Sequence, residues 1–155
     1  MQSTQSRAAA VVVASAMLSL AACTTPPARM TDDDFVMRSL KVDKPVGHVL
    51  SAFHDGYRLC GPATSTGLLS VTHHGAPNCG PPRPDGSTIC DIYMSGSTTP
   101  GGRTEHVLGR VDFQPAESGT AVTLRVWKVV ANKEGILGAW EKFLKGQAQQ
   151  VCPSK

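Results

Sequence analysis

Apolar residues follow three patterns along this chain: one unbroken run, two stretches of helical spacing, and several stretches of strand-like alternation. Helical spacing first appears after Asp43-Lys44-Pro45, where a capping residue and a proline mark a helix start. The apolar face of that helix ends near Cys60 and is formed by Val46, Val49, Leu50, Phe53 and Tyr57. A second helix, capped by Asn132, is predicted from Lys133 or Glu134 to about Gln150. It could lie on a membrane surface, but packing on a sheet is favoured.

Alternation of apolar and polar residues predicts five strands. They are Phe35–Val42, Leu68–His74, Thr88–Ser95, Glu105–Gln114 and Thr120–Val130. The last two form a hairpin around a predicted five-residue loop, Pro115 to Gly119. Val107, Val111 and Phe113 are expected on one face, and the segment Gly61 to Gly67 is expected to be a Ser/Thr-rich loop. The predicted fold class is α+β: an antiparallel sheet of about five strands, with a short first helix and a long C-terminal helix on one face.

The unbroken apolar run, Ala8 to Leu20, follows a polar start with one cation at Arg7. A basic start, a short apolar core and small residues before a cut are typical of a secretory signal. The alternative is a membrane-spanning helix, but the run to Cys23 is shorter than the roughly 18–20 residues that a span needs. We therefore expect residues 1–22 to be a cleaved signal peptide.

The end of this run, Leu20-Ala21-Ala22-Cys23, resembles the lipobox of bacterial lipoproteins. The resemblance implies cleavage between Ala22 and Cys23 and attachment of diacylglycerol to the Cys23 thiol. It also implies a location in the bacterial cell envelope, on the outer membrane facing the periplasm if the host has two membranes. Residues 23–34 are then a lipidated tether, in which the run Asp32-Asp33-Asp34 is interpreted as a solvated linker rather than a calcium site.

The remaining four cysteines form an even set: Cys60, Cys79, Cys90 and Cys152. Exported proteins fold in an oxidising compartment, so two disulfides are expected, and three pairings are possible. Cys79–Cys90 with Cys60–Cys152 is favoured, because the first would close a Pro/Gly-rich loop and the second would join the two helix ends. The alternative is a metal site that includes His73, His74 and His106, but these residues lack standard ligand spacing. No metal or cofactor is expected.

The chain has 155 residues, 41% hydrophobic and 17% charged, and a net charge of +3. These values fit one folded domain, residues 35–155, and argue against disorder and against a nucleic-acid partner. The chain lacks a nucleophile elbow and Gly-rich phosphate-binding motifs. No catalytic residues are predicted, and a noncatalytic protein is expected.

The order of elements is similar to that of the helix-grip, or START-like, family and of other small β-α-β₄-α folds, over roughly residues 35–152. Two roles remain open. The first is a lipid-anchored envelope protein that binds a protein or an envelope polymer. The second is a carrier of a small apolar ligand, held in a groove between the sheet and the C-terminal helix and lined by Val126, Trp140 and Phe143.

Overall fold

A computed structural model describes residues 30–60, 64–67, 70–98 and 103–152, with side-chain surroundings given outside 61–74 and 97–104. The strands are β1 (Phe35–Val42), β2 (Thr64–Gly67), β3 (Ser70–His74), β4 (Asn78–Cys79), β5 (Thr88–Thr98), β6 (Arg103–Ala116) and β7 (Gly119–Trp127). The helices are α1 (Val46–Cys60) and α2 (Lys133–Leu144).

The described strands form a single antiparallel sheet in the order β1-β7-β6-β5-β3-β2, with β4 paired to β5 beside β3. The fold class predicted from the sequence, α+β with an antiparallel sheet and two helices, is confirmed. Each of the five predicted strands is present. The two additional strands are short: β2 has four residues and β4 has two. The prediction that Gly61 to Gly67 is a loop is wrong for Thr64–Gly67, where threonines suit a strand.

Both helices pack on the same face of the sheet, and the core lies between the two layers. Phe53 of α1 is at the centre, with ring centroids 5.8 Å from Phe113 of β6 and 5.9 Å from Trp140 of α2. Phe143 of α2 lies 6.4 Å from the same ring. Apolar positions predicted from two helical and two strand patterns therefore meet in one cluster.

The C-terminal helix ends earlier than the predicted Gln150. Gly146 has φ of 72°, which is the left-handed conformation that glycine adopts at helix ends. The N–H of Gly146 bonds to the carbonyl of Phe143, and the N–H of Gln147 bonds to that of Lys142. This pair of bonds is a Schellman motif, which satisfies the last carbonyls and stops α2 at Leu144. A 3-10 turn at Ala148–Gln150 follows.

An irregularity in β6 changes which side chains reach the core. Ile92 pairs with Gly109, but Tyr93 pairs with Val107, so Leu108 is an extra residue in a β-bulge. Leu108 belongs to the core cluster, whereas Val107 is buried outside it. The prediction that Val107 shares a face with Val111 is therefore wrong, because a bulge shifts the alternation by one residue.

The β6–β7 hairpin is tighter than the five-residue loop predicted. Pro115 pairs with Thr120 and Ala116 pairs with Gly119, so the two strands continue to a two-residue connection, Glu117-Ser118.

Candidate functional site

The predicted lipidation residue Cys23 and the signal residues before it, including Ala22, lie outside the described residues. The first described residues show where the N-terminal segment joins the domain. No helix in the described part of the chain is long and apolar enough to cross a membrane.

Residues Asp32–Asp34 form a 3-10 turn that is bound to the C-terminal end of β7. The Nε of Arg125 donates to the Asp32 carboxylate at 3.0 Å. Lys128 donates its backbone N–H to the Asp34 carbonyl at 2.9 Å and its Nζ to the Asp33 carbonyl. Asp32 and Asp33 are exposed to solvent, as expected, but the run is not a free linker, because two basic residues hold it against the end of β7.

The four paired cysteines lie at two different places in the fold. Cys60, the last residue of α1, is joined to Cys152, two residues after the terminal 3-10 turn, and thus ties the two helical segments together. Cys79 of β4 is joined to Cys90 of β5, its directly opposite partner in the sheet. These are the pairs that the sequence favoured.

His54 of α1 lies beside the second disulfide. Its Nε2 is 3.2 Å from the Sγ of Cys79. The three potential ligand atoms of His54, Cys79 and Cys90 are all within 4.8 Å of one another. His54 is exposed, and no pattern in the sequence predicted its contact with Cys79. His106, one of the histidines considered for a metal site, is not part of this group and stacks on Trp127 with ring centroids 6.0 Å apart. The side chains of His73 and His74 lie outside the described surroundings.

The residues of the predicted ligand groove are part of the packed core. Val126, Trp140 and Phe143 have 0%, 2% and 4% of their surface exposed. Trp140 and Phe143 contact the rings of Phe53 and Tyr57. Burial raises the pKa of Tyr57, and an interaction with the Trp140 side chain opposes this shift. These side chains pack against one another and fill the space of the predicted groove, so they do not line an open cavity for a ligand.

Three surface clefts are lined by described residues and lie elsewhere. One of about 510 Å³ is formed by the turn before α1 and the β6–β7 hairpin and includes Lys44, Pro45 and Pro115. A second, of about 660 Å³, lies between α1 and the C-terminal 3-10 turn. The third, of about 360 Å³, includes Arg83 and Arg110. All three are open to solvent.

The face of the sheet opposite the helices carries a layer of ion pairs across neighbouring strands. Arg125 of β7 donates to Asp112 of β6 as well as to Asp32. Arg110 of β6 pairs with Asp91 of β5 at 2.7 Å, and the hydrogen bond from Asp91 raises the pKa of Arg110. Both arginines are therefore neutralised by nearby carboxylates, and this face is polar without a strong net charge.

On the helix face, Arg38 of β1 reaches α2. Its guanidinium donates to Glu141 at 2.8 Å and to Glu134 at 2.7 Å. The hydrogen bond with Glu141 raises the pKa of Arg38, with further contributions from the charges of both glutamates. This pair of contacts fixes α2 against the edge strand.

No protein-family model matches this chain, and no curated protein matches it. Among solved structures, the chain is similar to the crystal structure of DynU16, a protein of the dynemicin biosynthetic locus. The two are 16% identical with a TM-score of 0.36, over 77% of this chain and 47% of that chain. This chain therefore spans about half the length of the protein it matches, and a likeness this weak transfers no function.

Proposed function

We propose that this chain is a noncatalytic protein of the bacterial cell envelope, held on a membrane by lipid on Cys23, and that its domain binds a protein or an envelope polymer. The observation that carries the proposal is the distribution of the cysteines. Four of the five are paired in the domain, and the fifth is in the Leu20-Ala21-Ala22-Cys23 motif. Two disulfides fit an oxidising compartment, which export would provide.

The ordered turn at Asp32–Asp34 supports a short connection between lipid and domain. Only residues 24–30 lie between the proposed anchor and the first contact of Thr31 with Asp34. Seven residues reach at most about 25 Å when fully extended. The C-terminal end of β7, where Arg125 and Lys128 hold this turn, would therefore stay close to the membrane, and the rest of the polar sheet face would be free for a partner.

The packing of the core favours binding on the outer surface over carriage of an apolar ligand. A carrier needs a cavity of about 300 Å³ or more that encloses its ligand. Val126, Trp140 and Phe143 are instead packed against other core side chains. The polar sheet face, with its strand-to-strand ion pairs, offers hydrogen-bonding groups to a protein or polymer partner.

Replacement of the proposed anchor tests the proposal directly. The chain with Cys23→Ala should leave the membrane fraction and should fail to incorporate a clickable fatty acid supplied to growing cells. The double variant Cys79→Ala/Cys90→Ala serves as the control, because it removes two cysteines but keeps the anchor. If Cys23→Ala is still labelled and still sediments with the membrane, the proposed anchor is wrong.

The binding role can be tested with a photo-crosslinking amino acid placed on the polar sheet face. Thr123, half-buried between the flanking strands, is a suitable site, and exposed Gln149 near the C-terminus is a matched control. A discrete crosslinked product from Thr123 and none from Gln149 supports a partner on this face. The absence of any product from Thr123 in cells contradicts the proposed binding face.

A further inference from the structure

We propose that the Cys79–Cys90 disulfide is a site of thiol–disulfide exchange, attacked at Cys79 by an external thiol and assisted by His54. This site goes beyond the anchoring and binding functions proposed above. The external thiol is either a low-molecular-mass thiol or a cysteine of another protein in the same compartment. Three observations carry the inference: the unequal exposure of the two sulfurs, the position of His54, and the contrast with the second disulfide.

The two cysteines differ in access. Cys90 is in the core with 0% of its surface exposed, whereas Cys79 is half-buried on a two-residue strand with exposed residues on both sides. Exchange requires a thiolate to reach one sulfur of the disulfide. Attack is therefore directed to Cys79, and Cys90 is the sulfur that is released inside the protein.

His54 supplies a polar hydrogen at the sulfur that is attacked. A disulfide sulfur carries no hydrogen, so the 3.2 Å contact places the N–H on Nε2 of His54, donating to Cys79 Sγ. The ring is exposed and can exchange its proton with water. A neighbouring imidazolium attracts an incoming thiolate and stabilises the thiolate that departs, which is how cationic neighbours activate cysteines.

The exchange balances in two steps. The external thiolate forms a bond to Cys79 Sγ, the Cys79–Cys90 bond breaks, and its electron pair goes to Cys90 Sγ. That sulfur takes a proton from the His54 imidazolium, which recovers one from water. A second external thiolate then attacks the external sulfur of the mixed disulfide, and the Cys79 thiolate that departs takes a proton from water. The net result is two external thiols oxidised to one disulfide, and one protein disulfide reduced to two thiols.

The Cys60–Cys152 disulfide provides a comparison within the same molecule. Both of its sulfurs belong to half-buried residues, but no described imidazole is within hydrogen-bond distance of either. If access alone decided reactivity, the two disulfides would open at similar rates. The proposal instead predicts a selective reaction at Cys79–Cys90.

The test uses the protein purified in detergent from its own host, exposed to reduced glutathione at pH 7 and quenched at intervals by acid and alkylation. Peptide mass spectrometry reports each disulfide separately. Cys79–Cys90 should open at least about tenfold faster than Cys60–Cys152, with glutathione trapped on Cys79. His54→Gln should slow only this reaction, by about tenfold, and His54→Lys, which keeps a cation, should restore part of the rate.

The control variant is His48→Gln, which changes another exposed histidine of α1 and should leave both rates unchanged. Equal opening of the two disulfides, glutathione trapped on Cys90, or an unchanged rate in His54→Gln would each overturn the proposal. A different result would assign His54, Cys79 and Cys90 to a metal site: the two disulfides open at equal rates, and the reduced protein retains one zinc ion that His54→Gln does not retain. These outcomes are independent of whether Cys23 carries lipid, since the reaction is read in the domain alone.

Discussion

Removal of the Cys60–Cys152 disulfide should lower the free energy of unfolding more than removal of Cys79–Cys90. The two bonds close chain loops of very different length, with sequence separations of 92 and 11 residues. Since a crosslink mainly restricts the unfolded chain, its effect grows with the logarithm of loop length. For these separations, the chain-entropy relation gives about 4.6 and about 2.8 kcal/mol at 25 °C. The expected difference is about 2 kcal/mol.

Urea unfolding of the chain that begins at residue 23, with Cys23→Ser for solubility, measures this difference. The double variants Cys60→Ala/Cys152→Ala and Cys79→Ala/Cys90→Ala are compared with the parent by tryptophan fluorescence. Cys90 is fully buried, so its replacement also removes core contacts, and this works against the predicted order. A larger loss for Cys79–Cys90 would refute the argument from loop length. Peptide mapping of the parent and of both double variants without reduction confirms that each variant lacks only the intended bond.

Three further predictions concern the core and can be checked by denaturation. Gly109→Ala should lower the free energy of unfolding by about 3 kcal/mol, because the added Cβ would lie 2.1 Å from the Arg125 carbonyl oxygen. The control Gly138→Ala in α2 adds a Cβ that meets nothing within 4 Å, so it should raise the free energy of unfolding by about 0.5–1 kcal/mol. Equal effects of the two substitutions would contradict the observed packing. Phe53→Ala should lower it by about 3–5 kcal/mol, and a loss under 1 kcal/mol would be inconsistent with a central ring. Burial raises the pKa of Tyr57, so its contribution to the free energy of unfolding is complete below the unfolded-state pKa of about 10 and is lost at higher pH. Tyr57→Phe should weaken this loss of stability at alkaline pH. An identical loss in Tyr57→Phe would contradict the role of Tyr57.

Periodicity was sufficient to predict the fold class, since each element buries one continuous apolar face. The helical spacing from Val46 to Tyr57 predicted a helix that ends at Cys60, as observed. The alternation in β1 and β7 predicted two strands, but not that they pair with each other; in the structure they pair from Phe35 with Trp127 through Val42 with Thr120. Such patterns are local and long enough to outweigh competing arrangements.

Features of one or two residues were missed, because periodicity averages over longer segments. The bulge at Leu108 changes the alternation for one residue only. The end of α2 depends on Gly146, which could have been recognised as a helix-terminating glycine after Lys145. The strand β4 is two residues long and exists through its pairing with β5, which no local pattern encodes.

The candidate site was only partly predictable for a related reason. An even set of cysteines suggested two disulfides, and the loop and helix ends suggested their pairing. The contact of His54 with Cys79 joins a helix to a strand 25 residues later and depends on the packing of α1 over the sheet. Likewise, the docking of Asp32 on Arg125 joins residues 93 apart in sequence. Contacts of this kind follow from the assembled fold and leave no signature in the sequence.

Intact mass spectrometry of the protein extracted from the membrane of its own host tests the central claim most directly. The account predicts a chain that begins at Cys23, carries a diacylglycerol mass on that residue, and lacks four hydrogens because Cys60–Cys152 and Cys79–Cys90 are closed. A mature chain that begins elsewhere, or one that begins at Cys23 without lipid, would contradict the proposed anchor.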